Sequence, residues 1–172
     1  VSNTSSVGQA GLSVYAFSGT TYTGKSGVTA GDGTASFTLV PGSYNFRADK
    51  DGTQFFSGGA SGVDTCTIPS VGVTCVTDSV TVTDPVVVTV SNTSSVGQAG
   101  LSVYAFSGTT YTGKSGVTDV NGEVSFTLVP GDYNFRADVG SSQYFSGGAS
   151  GVNTCSIPSV GVSCTTDGVA VP

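Results

Sequence analysis

The sequence predicts an all-β protein made of two tandem sandwich domains joined end to end. Three observations carry this expectation. The chain repeats itself at an offset of 89 residues, apolar residues alternate with polar ones in short runs, and turn residues separate those runs. Val1 to Thr29 recurs unchanged from Val90 onward. Comparing residues 1–83 with 90–172 gives 65 identities in 83 positions without a gap. A copy of about 85 residues is long enough for one small domain. The expected domains are 1–84 and 85–172, and Asp84-Pro85-Val86-Val87-Val88-Thr89 joins them.

Each element has a local reason. Leu12, Val14 and Ala16 alternate with polar or aromatic neighbours, which is the period of a strand with one buried face. Ser36-Phe37-Thr38-Leu39 alternates as well, Pro41-Gly42 supplies a turn, and Tyr44 to Asp49 follows. Together these predict a hairpin with Tyr44, Phe46 and Ala48 inward and Asn45, Arg47 and Asp49 outward. Val63 to Ile68 and Val71 to Val82 are rich in Val and Thr and are expected to be strands. Turn signals recur at Gly8, Gly19, Gly31 to Gly33, Pro41-Gly42, Asp51-Gly52, Gly58-Gly59 and Pro69. No stretch has a helical period. About seven short strands at this spacing suit a sandwich or barrel, and the second copy repeats each element.

Composition excludes several functions. Five cationic side chains against 11 acidic ones leave a net charge of −6, so few phosphates can be neutralised and nucleic-acid binding is not expected. The charge divides evenly. Residues 1–84 carry 3 cations and 6 anions, and 85–172 carry 2 and 5, so each part is −3. With no histidine there is no imidazole for base catalysis or zinc. No apolar run approaches the roughly 20 residues of a membrane helix, so no membrane insertion by this segment is expected. Low charge with 37% apolar residues argues against disorder. No signal peptide, sorting motif or anchor is read at either end, and the second copy stops where a further joining segment is expected, as in a longer array that has been cut.

The segment Thr118-Asp119-Val120-Asn121-Gly122-Glu123-Val124-Ser125-Phe126-Thr127-Leu128-Val129-Pro130-Gly131-Asp132-Tyr133-Asn134-Phe135 resembles the "TD-x-NG … PG-x-Y" pattern of prealbumin-like β-sandwiches. These include the Cna-B, SpaA-type and carboxypeptidase-regulatory-like domains. The resemblance covers about 40 residues per copy. It implies Ig-like/prealbumin-like sandwiches that serve as stalk or spacer modules of bacterial surface proteins and pili. Many Cna-B domains carry an isopeptide bond from a first-strand Lys to a late-strand Asn. Here Leu12 to Phe17 holds no Lys and 73–82 no Asn, while Lys25 and Lys114 follow the first strand beside glycines. The cysteines are expected to supply the covalent lock instead.

Cys66 and Cys75 enclose eight residues, as do Cys155 and Cys164. A hairpin turning at Ser70-Val71 puts Cys66 directly opposite Cys75, at a separation suited to a disulfide. Two cysteines per copy with none left over point to an oxidising, extracellular or cell-surface location. A metal site is the rival reading, weakened by the lack of histidine. Asp119, Asn121 and Glu123 have the spacing of oxygen ligands in a calcium loop. The first copy has Ala30, Asp32 and Thr34 there, so an Asx-type turn competes, and no other cofactor is implied. Gly19 to Ser26 matches G-x4-G-K-[ST], but that pattern holds phosphate only ahead of a helix, and none follows, so it reads as a loop. Arg47 with Asp49, and Arg136 with Asp138, read as exposed ion pairs. Asn3-Thr4-Ser5 and Asn92-Thr93-Ser94 are glycosylation sequons.

Tyr15, Phe17, Tyr22, Phe55 and Phe56, with Tyr104, Phe106 and Tyr111 in the second copy, form either core or an open aromatic face. The expected function is therefore a pair of structural stalk or spacer repeats of an extracellular surface protein or adhesin, without enzymatic activity. Its partners would be neighbouring repeats of the same chain. The alternative is an adhesive module that uses the aromatic face on a host or environmental glycan or protein, with avidity from repetition. Pro85 and the β-branched Val86 to Val88 make a stiff joint only two or three residues long between strands, from which an extended rod is expected.

Overall fold

A computed structural model of the chain describes residues 1–71, 75, 77–158 and 164–172. All the regular structure among them is β, and it divides into two compact units, with Val82 the last strand residue of the first and Thr83 the opening residue of the second.

The second unit has the fuller set of strands. These are β8 (Val86–Ser91), β9 (Ser102–Ser107), β10 (Thr110–Val117), β11 (Glu123–Phe126), β12 (Gly131–Val139), β13 (Ser142–Phe145), β14 (Cys155–Ile157) and β15 (Thr166–Ala170). One sheet runs β10-β9-β12-β13, with β14 also on β12. The other runs β11-β8-β15. The β8–β15 pair is parallel and the other ladders are antiparallel. Alternation explains the core. Val86, Val88 and Val90 on β8, Val103 and Ala105 on β9, and Phe135 and Ala137 on β12 are fully buried and pack together between the sheets. Phe126 stacks on Phe135 with ring centroids 5.5 Å apart, so the aromatic pair bridges the two sheets.

The first unit repeats the larger sheet. Its strands are β1 (Ser2–Asn3), β2 (Ser13–Ser18), β3 (Thr21–Val28), β4 (Gly42–Lys50), β5 (Thr53–Phe56), β6 (Cys66–Ile68) and β7 (Thr81–Val82). The order is β3-β2-β4-β5 with β6 on β4, and β1 pairs β7 in parallel. The registers match across copies. Ser2 pairs Thr81 as Ser91 pairs Ala170, each shifted by 89.

Three expectations require correction. Ser36–Leu39 and Tyr44–Asp49 are not a hairpin. In the second unit the counterpart strand β11 pairs β8 while β12 belongs to the opposite sheet, so Pro130-Gly131 carries the chain between sheets. Two apolar faces that must meet across a core cannot also be neighbours in one ladder. The hydroxyl of Tyr133 holds this crossing by donating to the Val129 carbonyl at 2.8 Å, and Tyr44 does the same to Val40. Second, Asn45 and Asn134 are fully buried, although they sit on the expected polar face. Third, the strand at Val63 to Ile68 begins only at Cys66. Of the span 71–82, Thr81–Val82 is strand, residues 72–74 and 76 lie outside the described residues, and the rest is irregular; in the second unit β15 covers the counterparts of 77–81.

Glycine is required where two loops cross. A Cβ on Gly97 would lie 1.9 Å from the Asn121 carbonyl oxygen, and one on Gly8 would lie 2.1 Å from that of Asp32. The chain passes so close there that only a hydrogen fits.

Candidate functional site

The outward face of the larger sheet gathers the aromatic residues in both units. On β2, Val14 and Ala16 point into the core, so Tyr15 and Phe17 project from the other side. Register then fixes their neighbours. Tyr22 on β3 lies opposite Phe17, Arg47 on β4 opposite Tyr15, and Phe56 on β5 opposite Arg47. The Tyr15 and Tyr22 rings are 5.9 Å apart, Phe17 and Tyr22 5.6 Å, and Phe17 and Phe56 6.3 Å. The second unit reproduces the cluster. Tyr104–Tyr111 is 5.9 Å, Phe106–Tyr111 5.6 Å and Phe106–Phe145 6.3 Å.

Arg47 completes the face. Its guanidinium lies 4.5 Å from the Tyr15 ring centroid and 5.4 Å from that of Phe17, within cation–π range. It also pairs with Asp49, Nη2 donating to Oδ2 at 3.0 Å and Nε lying 2.8 Å from Oδ1 as an ion-pair contact. The two side chains keep only 20% and 30% of their exposure. The expected exposed ion pair is thus a half-buried clamp beneath the aromatic rings. Arg136 and Asp138 repeat it, with Arg136 4.6 Å from Tyr104 and 5.3 Å from Phe106. Alternation from Tyr44 to Asp49 put Arg47 on the polar face, but only the strand order, with β4 beside β2, sets it against Tyr15.

Tyr15 and Phe17 are half-buried by their neighbours, whereas Tyr22 and Tyr111 are each 45% exposed. The accessible part of the face is therefore a tyrosine ring with its hydroxyl, bordered by aromatic edges. Such a surface can stack on an apolar face and hydrogen-bond at its rim.

The remaining candidates are placed as follows. Cys66–Cys75 and Cys155–Cys164 are disulfides, with Cα separations of 5.5 and 5.4 Å, and no cysteine is free. Asp119 turns its carboxylate into its own loop, where Oδ1 accepts the amides of Asn121 at 2.8 Å and Glu123 at 2.9 Å. In the first copy, Asp32 accepts the hydroxyl of Thr34 at 2.7 Å and its amide at 2.9 Å, and these bonds lower its pKa. Among the described residues, no cluster of three or more His, Cys, Asp or Glu forms a metal-binding group. The Gly19–Ser26 pattern is not a loop throughout. Its residues from Thr21 belong to strand β3, with a left-handed Gly24 at the irregularity. Asn3 and Asn92 of the two sequons cap turns, accepting the amides of Val7 at 2.9 Å and Val96 at 3.0 Å.

Sequence reasoning missed two buried or tethering networks. Asn45 donates to the Gly19 carbonyl and to Asp64, both at 2.8 Å, tying the β2–β3 turn to a distant loop. Ser57 hydrogen-bonds Thr65, which donates to Asp78, and Ser146, Thr154 and Asp167 repeat the chain. The only available signal was that asparagine follows tyrosine in both copies.

No protein-family model matches the chain, and no curated protein matches it. Among solved structures it is similar to the Bacillus anthracis TIE protein, at 12% identity and a TM-score of 0.34 over 94% of this chain and 30% of that one. It is also similar to a C-terminal fragment of the pilus adhesin SpaC from Lactobacillus rhamnosus GG, at 12% identity and a TM-score of 0.27 over 99% of this chain and 93% of that one. The chain thus spans under a third of the TIE chain. Likeness at this level carries no argument about function.

Proposed function

We propose that the chain is a pair of structural repeats of an extracellular surface protein, which space and present another part of that protein. The observation that supports this reading is the disulfide inside each copy. Each unit holds its own covalent staple at the same place, which suits modules that must stay folded outside the cell. The prealbumin-like sequence pattern of both copies agrees with it. Neighbouring repeats are the partners, and the reading assigns no reaction to the chain.

A second reading is favoured by one observation. The aromatic–arginine face appears twice with the same geometry, and Tyr22 and Tyr111 stand out from it. In this reading each copy contacts a glycan or protein weakly and the pair gains avidity. One experiment separates the two. The 172-residue chain and its Tyr22→Ala/Tyr111→Ala variant are applied to glycan and matrix-protein arrays. The spacer reading expects no saturable binding by either. Saturable binding by the parent chain that the variant loses overturns it in favour of adhesion.

A further inference from the structure

Phe37, Leu39, Phe46 and Ile68 are half-buried in the first unit. Their identical counterparts Phe126, Leu128, Phe135 and Ile157 are at most 4% exposed. The side chains are the same, so the difference lies in what covers them. In the second unit Val86 and Val88 of β8, both fully buried, belong to the same packed cluster. Val1 corresponds to Val90, so residues 1–82 contain nothing equivalent to Val86–Thr89. What stands there instead is a groove of about 370 Å³, lined by Val14, Ala35, Phe37, Phe46, Ile68 and Val80 among others.

The groove rims show the same difference. Residues 123–126 and 166–170 are strands because both pair with β8, the first antiparallel and the second parallel. Their counterparts 34–37 and 77–80 form no strand, and of 77–81 only Thr81 does, paired with Ser2. The entry point is preserved, however. The ammonium of Val1 donates to the Gly33 carbonyl at 2.6 Å, as the Val90 amide does to Gly122 at 2.8 Å. A residue bonded ahead of Val1 would therefore start along the groove in the direction that Thr89 takes from Val90.

We propose that this groove is the seat of an added β-strand, an extended segment with the chemistry of Asp84–Thr89 joined directly to Val1. Alternating valines face Phe37 and Phe46, while the segment's backbone bonds 34–37 on one side and 77–80 on the other. β-Branched residues suit this site because they favour extension and fill a pleated apolar surface. The proline stands at the beginning of the segment, where its missing amide proton interrupts no ladder.

The test compares the 172-residue chain with one carrying Asp-Pro-Val-Val-Val-Thr ahead of Val1. Amide hydrogen exchange is read at residues 34–37 and 77–80, and thermal unfolding is followed in parallel. The proposal expects exchange there to slow at least tenfold and melting of the first unit to rise toward that of the second. An extension with aspartate in place of its first and third valines should lose both effects. Unchanged exchange and melting in the valine extension overturn the proposal. The free hexapeptide provides a second measurement. If it protects 34–37 while the joined segment does not, or if the unextended chain forms a concentration-dependent dimer that the free hexapeptide disperses, the strand comes from another molecule and the assignment fails.

Discussion

Breaking the bridge of the second unit alone tests how each copy is held. Cys164→Ala leaves the Cys155 sulfur in the core, where that residue is 2% exposed, and removes only the cross-link. Closing a loop of about 10 residues contributes about 2.7 kcal/mol in the chain-entropy model. A domain of this size shifts about 4–8 °C per kcal/mol, so its melting temperature should fall by roughly 10–20 °C. Calorimetry reads this directly, because the intact Cys66–Cys75 unit serves as the reference in the same molecule. Replacing both Cys155 and Cys164 by alanine adds the loss of a buried sulfur contact, about 1 kcal/mol more. Force–extension provides a geometric check. Freeing nine residue spacings at about 3.6 Å each, less the 5.4 Å Cα separation, lengthens that unit's unfolding step by about 27 Å. If the second transition stays within about 2 °C of its original position, the loop-closure magnitude is refuted. If both transitions fall together, the two units are not independently stabilised.

Further outcomes follow from single side chains. Gly97→Ala should destabilise the second unit by about 2–4 kcal/mol, because its Cβ meets the Asn121 carbonyl, whereas Gly100→Ala, with open space but a left-handed backbone, should cost about 1 kcal/mol; urea unfolding ranks the two. Asn134→Ala removes buried donors to Gly108 and Asn153 and should cost about 2–3 kcal/mol, with faster amide exchange at Gly108. The hydrogen bonds from Thr34 hold the Asp32 pKa below the ordinary 3.8, so their stabilisation is present above that value and lost as pH falls through the lower folded-state pKa. Asp32→Asn should accordingly flatten the acid limb of the first unit's stability as pH falls below the ordinary carboxylate pKa. An unchanged acid limb would remove Asp32 from the account.

The sequence by itself determined the repeat, the β class and the disulfide partners, because each depends on local spacing. Alternation at Leu12 to Phe17 is a property of one strand, and the eight residues between Cys66 and Cys75 limit how far apart the two sulfurs can lie. Of the aromatic candidates it named, Tyr15, Phe17, Tyr22 and Phe56 share the outward face, whereas Phe55, one residue out of phase with Phe56, is buried in the core. It did not determine what lies next to what. Ser36 to Leu39 and Tyr44 to Asp49 read as a hairpin because each alternates and Pro-Gly separates them. The fold sends their counterparts in the second unit to opposite sheets, since both apolar faces are needed to close one core. Asn45 and Arg47 read as surface residues for the same reason. Only the adjacency of β2, β4 and the loop at Asp64 buries the amide and lays the guanidinium on Tyr15. The unequal burial of Phe37 and Phe126 lies furthest from sequence. The residues and their immediate neighbours Ser-Phe-Thr-Leu are identical, and in the second unit a valine strand belongs to the same packed cluster, whereas the first unit has none there among its described residues.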